Sequence, residues 1–424
     1  MNSFLAYNRI VKYFTILLFS FVAGGTYLLP VEVFGVSLYG LRWFSVFYLA
    51  YLLIYGGLKF QFNSISKHAL IVIFSTFLYG LVSLIWVDSP MIAIKELINI
   101  LFGLIFIILF LLIYKQTSGY KEIVNGIYIA LIIVFSVCFY EISTGNHISG
   151  DVTLSLSELH SGHYAQYVPY ATFGNPNNLA FFLFACSMIL VADIIKSNSL
   201  ISYLFLFASL IVIGLTYSKL TYLAVLLVLG FILVAKRQRA LSWLKTNYFL
   251  LFLIPIVLGA LIRFNSWEKH NLPKDDEVII KKHLTGNEIR KNLIINGLYL
   301  LKKSNYTGVG PGHFQYYHQK RIIKNETGEI DGAHNGLIEL LSQYGVPIFI
   351  FWILLFGWYI LKFLKYSATH LNAWIAIGFI LAIIPLSATN SIFLKNPVTW
   401  TYLSFLLVTL NELMPSSEYN EVDE

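Results

Sequence analysis

His334 stands in the run DGAHNGLIELLSQYGVP, directly ahead of a long apolar stretch. With residues 333–344 read as helix and Asp331 as its N-cap, His334 shares a face with Leu337, Ile338 and Leu341. The positive end of the helix dipole disfavours an imidazolium there and leaves a neutral ring able to accept a proton. Such a histidine is either a general base or a packing residue. Asn335, next to it, could fix a substrate hydroxyl or satisfy a backbone amide at the helix start.

Arg290 lies upstream in NEIRKNLIINGLYLLKK, residues 287–303. At about 100° per residue, Leu293, Ile294, Leu298, Leu300 and Leu301 fill one half of the helical wheel, with Arg290 in its middle. An arginine on a packing face needs an acceptor: a phosphate, which its planar fork suits, a carboxylate such as Glu339 or Asp331, or the lipid interface. Arg42, Lys95 and Lys219 fall near the same surface as that face, against the general charge bias, and point to an anion held there. Taken singly, they could instead snorkel or satisfy helix carbonyls. His160 and His163 make an H-x-x-H pair without further ligands at a recognised spacing, so no metal is expected. GVGPGHF at 308–314 lacks a preceding strand and a Walker lysine and reads as a turn. Asn175, in GNPNN, reads as a helix cap or as a polar contact to a substrate.

The rest of the chain has to hold these groups against a bilayer. Of 424 residues, 57% are hydrophobic and 12% charged, with a mean hydropathy of +0.71. So few charges cannot cover a soluble globule, and the expected fold is an all-α polytopic membrane protein. Apolar stretches of roughly 17 to 25 residues fall near 11–29, 36–57, 69–87, 92–114, 122–144, 177–196, 199–216, 219–235, 247–262, 345–364, 370–388 and 398–414, about twelve spans in all. The organisation follows: spans one to nine over 1–262, a large, partly helical loop over 263–344 carrying the catalytic elements, spans ten to twelve over 345–414, and an acidic tail over 415–424. Arg9, Lys12, Lys67, Lys115, Lys196, Arg237 and Lys362 are among the basic residues that collect on one side. By the positive-inside rule both termini are cytoplasmic and the large loop is extracytoplasmic. Cys138 and Cys186 fall inside spans and imply no disulfide framework. The net charge of +7 reflects the inside bias and calls for no nucleic-acid partner.

In order along the chain, FGNPNNLA at 173–180, TYSKLTYLAV at 216–225, EIRKNLIINGLYLLKKSNYTGVGPGHF at 288–314 and HNGLIELLSQYGVP at 334–347 resemble elements of the O-antigen ligase and O-antigen polymerase superfamily of bacterial envelope enzymes. The resemblance implies a multi-pass protein of the inner (cytoplasmic) membrane with an extracytoplasmic active site. It implies a glycan donor carried by undecaprenyl diphosphate in the lipid bilayer, no cofactor and no essential metal. It places the catalytic histidine on His334 and a diphosphate-binding arginine on Arg290. Lys219 stands where the family typically has arginine, keeping the charge and losing the fork. Arg42 joins the diphosphate set by its depth and charge alone.

In the scheme this implies, the cations stabilise charge growing on the diphosphate, while His334 orients or deprotonates the acceptor hydroxyl. A repeat-unit polymerase for a capsule, exopolysaccharide or O-antigen is the leading expectation, weakly favoured by a composition rich in Ile, Lys, Asn, Phe and Tyr. The alternative is a ligase that passes finished glycan to lipid A core or another terminal acceptor. A flippase and a chain-length regulator are candidate partners. A polysaccharide transporter or flippase fits less well, because it predicts ionisable groups near the midplane or symmetry between halves.

Overall fold

The computed structural model describes residues 2–25, 28–33, 36–56, 62–116, 118–148, 167–234, 286–328, 330–367, 370–389 and 392–414. Helices α1 (Asn2–Gly24), α2 (Gly40–Tyr55), α3 (Ser64–Val82), α4 (Pro90–Tyr114), α5 (Gly119–Thr144), α6 (Pro176–Ser197), α7 (Leu200–Leu215) and α8 (Lys219–Val234) form the first half. The second contains α9 (Gly286–Lys303), α10 (His313–Gln319), α11 (Gly336–Ser367), α12 (Leu371–Leu381), α13 (Ile383–Ser387) and α14 (Pro397–Leu413). One departure from an all-helical fold is a short antiparallel hairpin, β1 (Val31–Val33) and β2 (Val36–Leu38), paired Val31 to Leu38.

Among the described residues, five helical stretches are long and apolar enough to cross a membrane: Ser64–Ile85, Pro90–Tyr114, Gly119–Thr144, Pro176–Ser197 and Gly336–Ser367. Shorter apolar helices cover Gly40–Tyr55, Leu200–Leu215, Lys219–Leu233 and Leu371–Ser387. The chain is thus a multi-pass helical membrane protein. The expected ninth span at 247–262, the first part of the large loop at 263–285, the pair His160 and His163, and the acidic tail lie outside the described residues.

At the centre, α6 packs against α14, and α14 against α4. Phe181, Phe182, Leu183, Phe405, Leu406 and Leu410 are almost completely buried there. Around that core α1 packs on α5, α3 on α11, and α8 on α12.

Polar contacts mark the two ends of the bundle. At one, Asn63 and Ser66 at the start of α3 hydrogen bond Asn411 near the end of α14, and Lys196 pairs with Glu412 at 2.8 Å. At the other, Thr172 Oγ1 donates to Ala23 O, Ser89 N to His313 Nε2, and Asn396 Nδ2 to Asn178 Oδ1. Helix α7 starts at the first of these ends, where Ser202 bonds Asp193. Its 16 residues rise about 24 Å and deliver the chain to Lys219 at the second. Arg42, Asn175, Lys219 and His334 therefore stand at one end of the bundle.

Candidate active site

Helix α9 is held against the first part of α11 by a small residue. A Cβ at Gly297 would lie 2.3 Å from Ile338 Cγ2, so the two helices approach as closely as a glycine allows. Leu293, Leu300, Val309, Phe314, Tyr317 and Ala333 close a separate apolar core beside that contact. Asn296 ties in the following loop: its side chain donates to Asn325 O at 2.8 Å and accepts from Asn325 N at 2.9 Å. It also meets His318 Nε2 at 3.1 Å, while His318 Nδ1 donates to Phe314 O at 2.9 Å.

The Gly-rich turn is stitched onto a kink in α11. Val309 N donates to Ser342 O and Gly310 N to Gln343 O, both at 2.9 Å, and Val346 N donates to Tyr306 O at 3.0 Å. Gly308 (φ +87°) and Gly345 (φ +72°) make the approach possible. A side chain at either would strike the other strand's backbone within about 2.5 Å, in a region of φ that L residues avoid. His313, fully buried, then locks the turn to α4: its Nδ1 donates to Pro311 O at 2.9 Å and its Nε2 accepts from Ser89 N at 3.1 Å. Burial pushes its pKa down, opposed by the Pro311 carbonyl and Asp88.

This packing brings His334 and Arg290 into electrostatic reach of each other. His334 is half-buried and its pKa lies below the ordinary 6.5, first through burial and then through the Arg290 charge, with Asp331 pulling the other way. The ring is therefore neutral at neutral pH and able to accept a proton. Its backbone sits at φ +46°, which is uncommon for a residue with a side chain. Strain of this kind persists where surrounding contacts over-determine it, as at functional sites.

Three expectations change here. The helix begins at Gly336 and its cap is Asn335, whose Oδ1 accepts from Leu337 N and Ile338 N, both at 3.1 Å. Asp331 is not the cap; it accepts from Gln319 Nε2 at 2.7 Å. His334 consequently precedes the helix, and sharing the face of Leu337, Ile338 and Leu341 is not what aims it. Arg290, in turn, is exposed and off the packing face. The contact face of α9 is Leu293, Asn296, Gly297 and Leu300, whereas Ile294 and Leu298 turn outward. Counting apolar types on the wheel misplaces a seam that is built on a glycine and an asparagine. Arg290 forms no ion pair among the described residues, and neither proposed carboxylate takes it. Asp331 serves Gln319, and Glu339 accepts from Phe393 N at 2.6 Å and Leu394 N at 3.4 Å.

The other candidates have partners and settings of their own. Arg42 is buried, donates through Nη2 to Asn99 Oδ1, and lies over the rings of Tyr39 (4.7 Å) and Phe102 (5.1 Å). It lines a cleft with Tyr39, Asn99, Phe102 and Trp400. Lys219 opens α8 with its side chain exposed, behind Tyr217 at φ +55°. No hydrogen bond or ion pair among the described residues links either cation to Arg290 or His334. Asn175 caps α6, accepting from Asn178 N at 2.8 Å. Among the described residues no cluster of three or more His, Cys, Asp or Glu is placed to hold a metal ion.

Residues 204–353 match the family model described as O-antigen ligase. This segment is similar to the O-antigen ligase family. The matched segment runs from within α7 into α11 and includes Lys219, Arg290, His334 and Asn335, but neither Arg42 nor Asn175. Over 416 residues the chain is 26% identical to the teichuronic acid biosynthesis protein TuaE of Bacillus subtilis (strain 168), an alignment covering 90% of this chain and 82% of that protein.

Proposed function

We propose that the protein transfers glycan from an undecaprenyl-diphosphate-linked oligosaccharide on the extracytoplasmic side of the cytoplasmic membrane, joining repeat units of a surface polysaccharide. The observation that carries this reading is the packing of α9 against α11, which sets the exposed Arg290, without an ion pair among the described residues, within electrostatic reach of a neutral His334. In the proposed reaction Arg290 takes the diphosphate through its two-pronged fork. His334 accepts the proton of the acceptor hydroxyl as that oxygen bonds to the anomeric carbon. The bond from the anomeric carbon to the diphosphate oxygen breaks, and undecaprenyl diphosphate leaves with the electron pair. The guanidinium stabilises the charge that develops there. Energy comes from the sugar–diphosphate bond, so the scheme asks for no nucleotide.

Lys219 and Arg42, at the same end of the bundle, are proposed as further cations for the diphosphate. Asn335 and Asn175 act in this reading through the helix starts they cap. Both described ends of the chain lie at the opposite end of the bundle, which supports cytoplasmic termini once the basic residues of the sequence are counted. A relative named for teichuronic acid biosynthesis supports a role in making a surface polysaccharide.

The test uses purified protein with lipid-diphosphate-linked oligosaccharide and no second acceptor. Ladder formation is expected, with activity reduced roughly 10²- to 10⁴-fold in His334→Ala and strongly reduced in Arg290→Ala. Product only after addition of lipid A core would identify a ligase. Full activity in both variants would overturn the site.

A further inference from the structure

The connection into α14 carries a cation that no argument from spans selects. Its backbone, residues 392–396, is tied to three helices. The Glu339 carboxylate, from α11, accepts from the amides of Phe393 and Leu394. Trp400 Nε1, from α14, donates to Leu394 O at 2.9 Å. Asn396 Nδ2 donates to Asn178 Oδ1 of α6 at 2.8 Å, and Asn396 Oδ1 accepts from Val398 N. Phe393 packs against Gly336, where a Cβ would come within 2.4 Å of the Phe393 Cγ. Gly336 is two residues beyond His334.

Phe393 and Leu394 are buried at 8% and 1% exposure, and Lys395 is exposed. The loop therefore presents one side chain from a fixed backbone at the edge of the candidate site. The Lys395 charge acts on Glu96 and Glu339 beneath it, yet Lys395 forms no ion pair or hydrogen bond among the described residues. Glu96 itself is buried, accepts from Asn99 through one oxygen at 3.5 Å, and has no hydrogen-bond partner among the described residues for the other. A cation whose backbone is already ordered loses only side-chain freedom when it takes up a ligand, which lowers the entropic cost of binding.

We propose that Lys395 is a further substrate-binding residue, contacting an oxyanion of the glycan substrate, either the donor's diphosphate or a carboxylate on its sugars. This rests on the glycosyl-transfer reading above. The experiment measures KM and kcat for Lys395→Gln, Lys395→Met and Lys395→Arg in the full-length protein. Two lipid-diphosphate-linked donors are used, one with uronic acid sugars and one with neutral sugars. Expected is a KM raised about tenfold in the Gln and Met variants, the scale of one hydrogen bond to a charged group. The kcat should stay within about threefold, and Arg should recover most of the loss. A rise for both donors assigns the diphosphate; a rise for the uronic donor alone assigns the sugar carboxylate. Unchanged KM for both donors would overturn the proposal, as would failure of both neutral variants to fold, which would make Lys395 a structural counter-ion. His334→Ala in the same assay keeps the two readings separable. If it is fully active while Lys395→Gln raises KM, the catalytic assignment fails and the Lys395 contact stands.

Discussion

Replacing Gly297 by alanine separates the geometry of the site from its chemistry, because the new methyl touches neither proposed reacting group. The added Cβ would sit 2.3 Å from Ile338 Cγ2, where ordinary contact begins at 3.4 Å, so α9 and α11 must part locally by about 1 Å. Ile338 is β-branched and its methyl cannot swing aside freely. The overpacking costs about 1–3 kcal/mol, offset by roughly 1 kcal/mol of helix propensity gained over glycine. Stability should fall by no more than about 2 kcal/mol. Arg290 lies two helical turns before Gly297, and His334 lies four residues before Ile338, so the displacement falls directly on their separation. A misplacement of about 1 Å can cost on the order of 10²-fold in rate. The assay is ladder formation from lipid-linked oligosaccharide, with thermal unfolding in detergent measured in parallel. Gly297→Ala should lose about two orders of magnitude in kcat/KM while remaining folded. Adding Ile338→Ala should recover a large part, as expected for two residues in contact. Activity equal to wild type in Gly297→Ala would refute the idea that this seam sets the reacting distance.

The pH dependence has a definite sign. His334 is held below its ordinary 6.5, so the active neutral ring persists to mildly acidic pH. Arg290→Gln should move the acid limb of kcat/KM upward and Asp331→Asn should move it downward; opposite or absent shifts would remove His334 from the base role. For stability, His313, His318 and His334 all have folded-state values below 6.5. Their contribution is present above about pH 6.5 and is lost as pH falls through the depressed folded values, so unfolding temperature should drop on acidification, and less steeply in His313→Gln. Glu339→Ala removes the acceptor for two buried amides, and each unsatisfied group costs about 1–3 kcal/mol. A marked fall in unfolding temperature is expected, with a smaller fall in Glu339→Gln; no change would mean that water replaces the carboxylate. Asn335→Ala should cost about 1 kcal/mol as a lost cap, and Asn335→Ser should restore both stability and activity. A Ser variant that is stable but inactive would instead assign Asn335 to the glycan.

What the sequence made legible is what depends on composition and period. Hydropathy located α4, α5 and α6 to within about three residues of their ends, because an apolar run long enough to span has few other uses. The amphipathic period of residues 287–303 located α9 equally well. The facing of α9 was not legible. In a bilayer an outward apolar side chain needs no protein partner, and helices often meet through small residues, so Ile294 and Leu298 misdirect the wheel while Gly297 makes the contact. The left-handed backbone at His334 was hidden for a different reason. Asp331 and Asn335 are both good capping residues ahead of the same apolar run, and only the fold reveals that Asn335 takes the role. Lys395 was missed because weighing charges by their depth in a span passes over a lysine in a short connection, whose position is fixed by Glu339 and Trp400 from elsewhere in the chain.

An exposed Arg290 suits the proposed chemistry better than the buried one the helical wheel suggests. A guanidinium paired with a buried carboxylate would have to break that pair to take a diphosphate, and separating a buried pair costs about 3–5 kcal/mol. The fold avoids this by committing elsewhere the two acids that the sequence offers as partners: Glu339 to the amides of Phe393 and Leu394, and Asp331 to Gln319. Asp331 stays close enough to oppose the effect of Arg290 on the histidine ring. The two charges thereby bracket the His334 pKa from either side while neither is locked to the other. Binding a diphosphate at Arg290 would screen its charge and raise the basicity of His334, so donor binding would itself prepare the ring to take the acceptor's proton. The acid limb of kcat, which reports the donor complex, should therefore lie at higher pH than that of kcat/KM. Coincident limbs would mean that Arg290 does not hold the diphosphate.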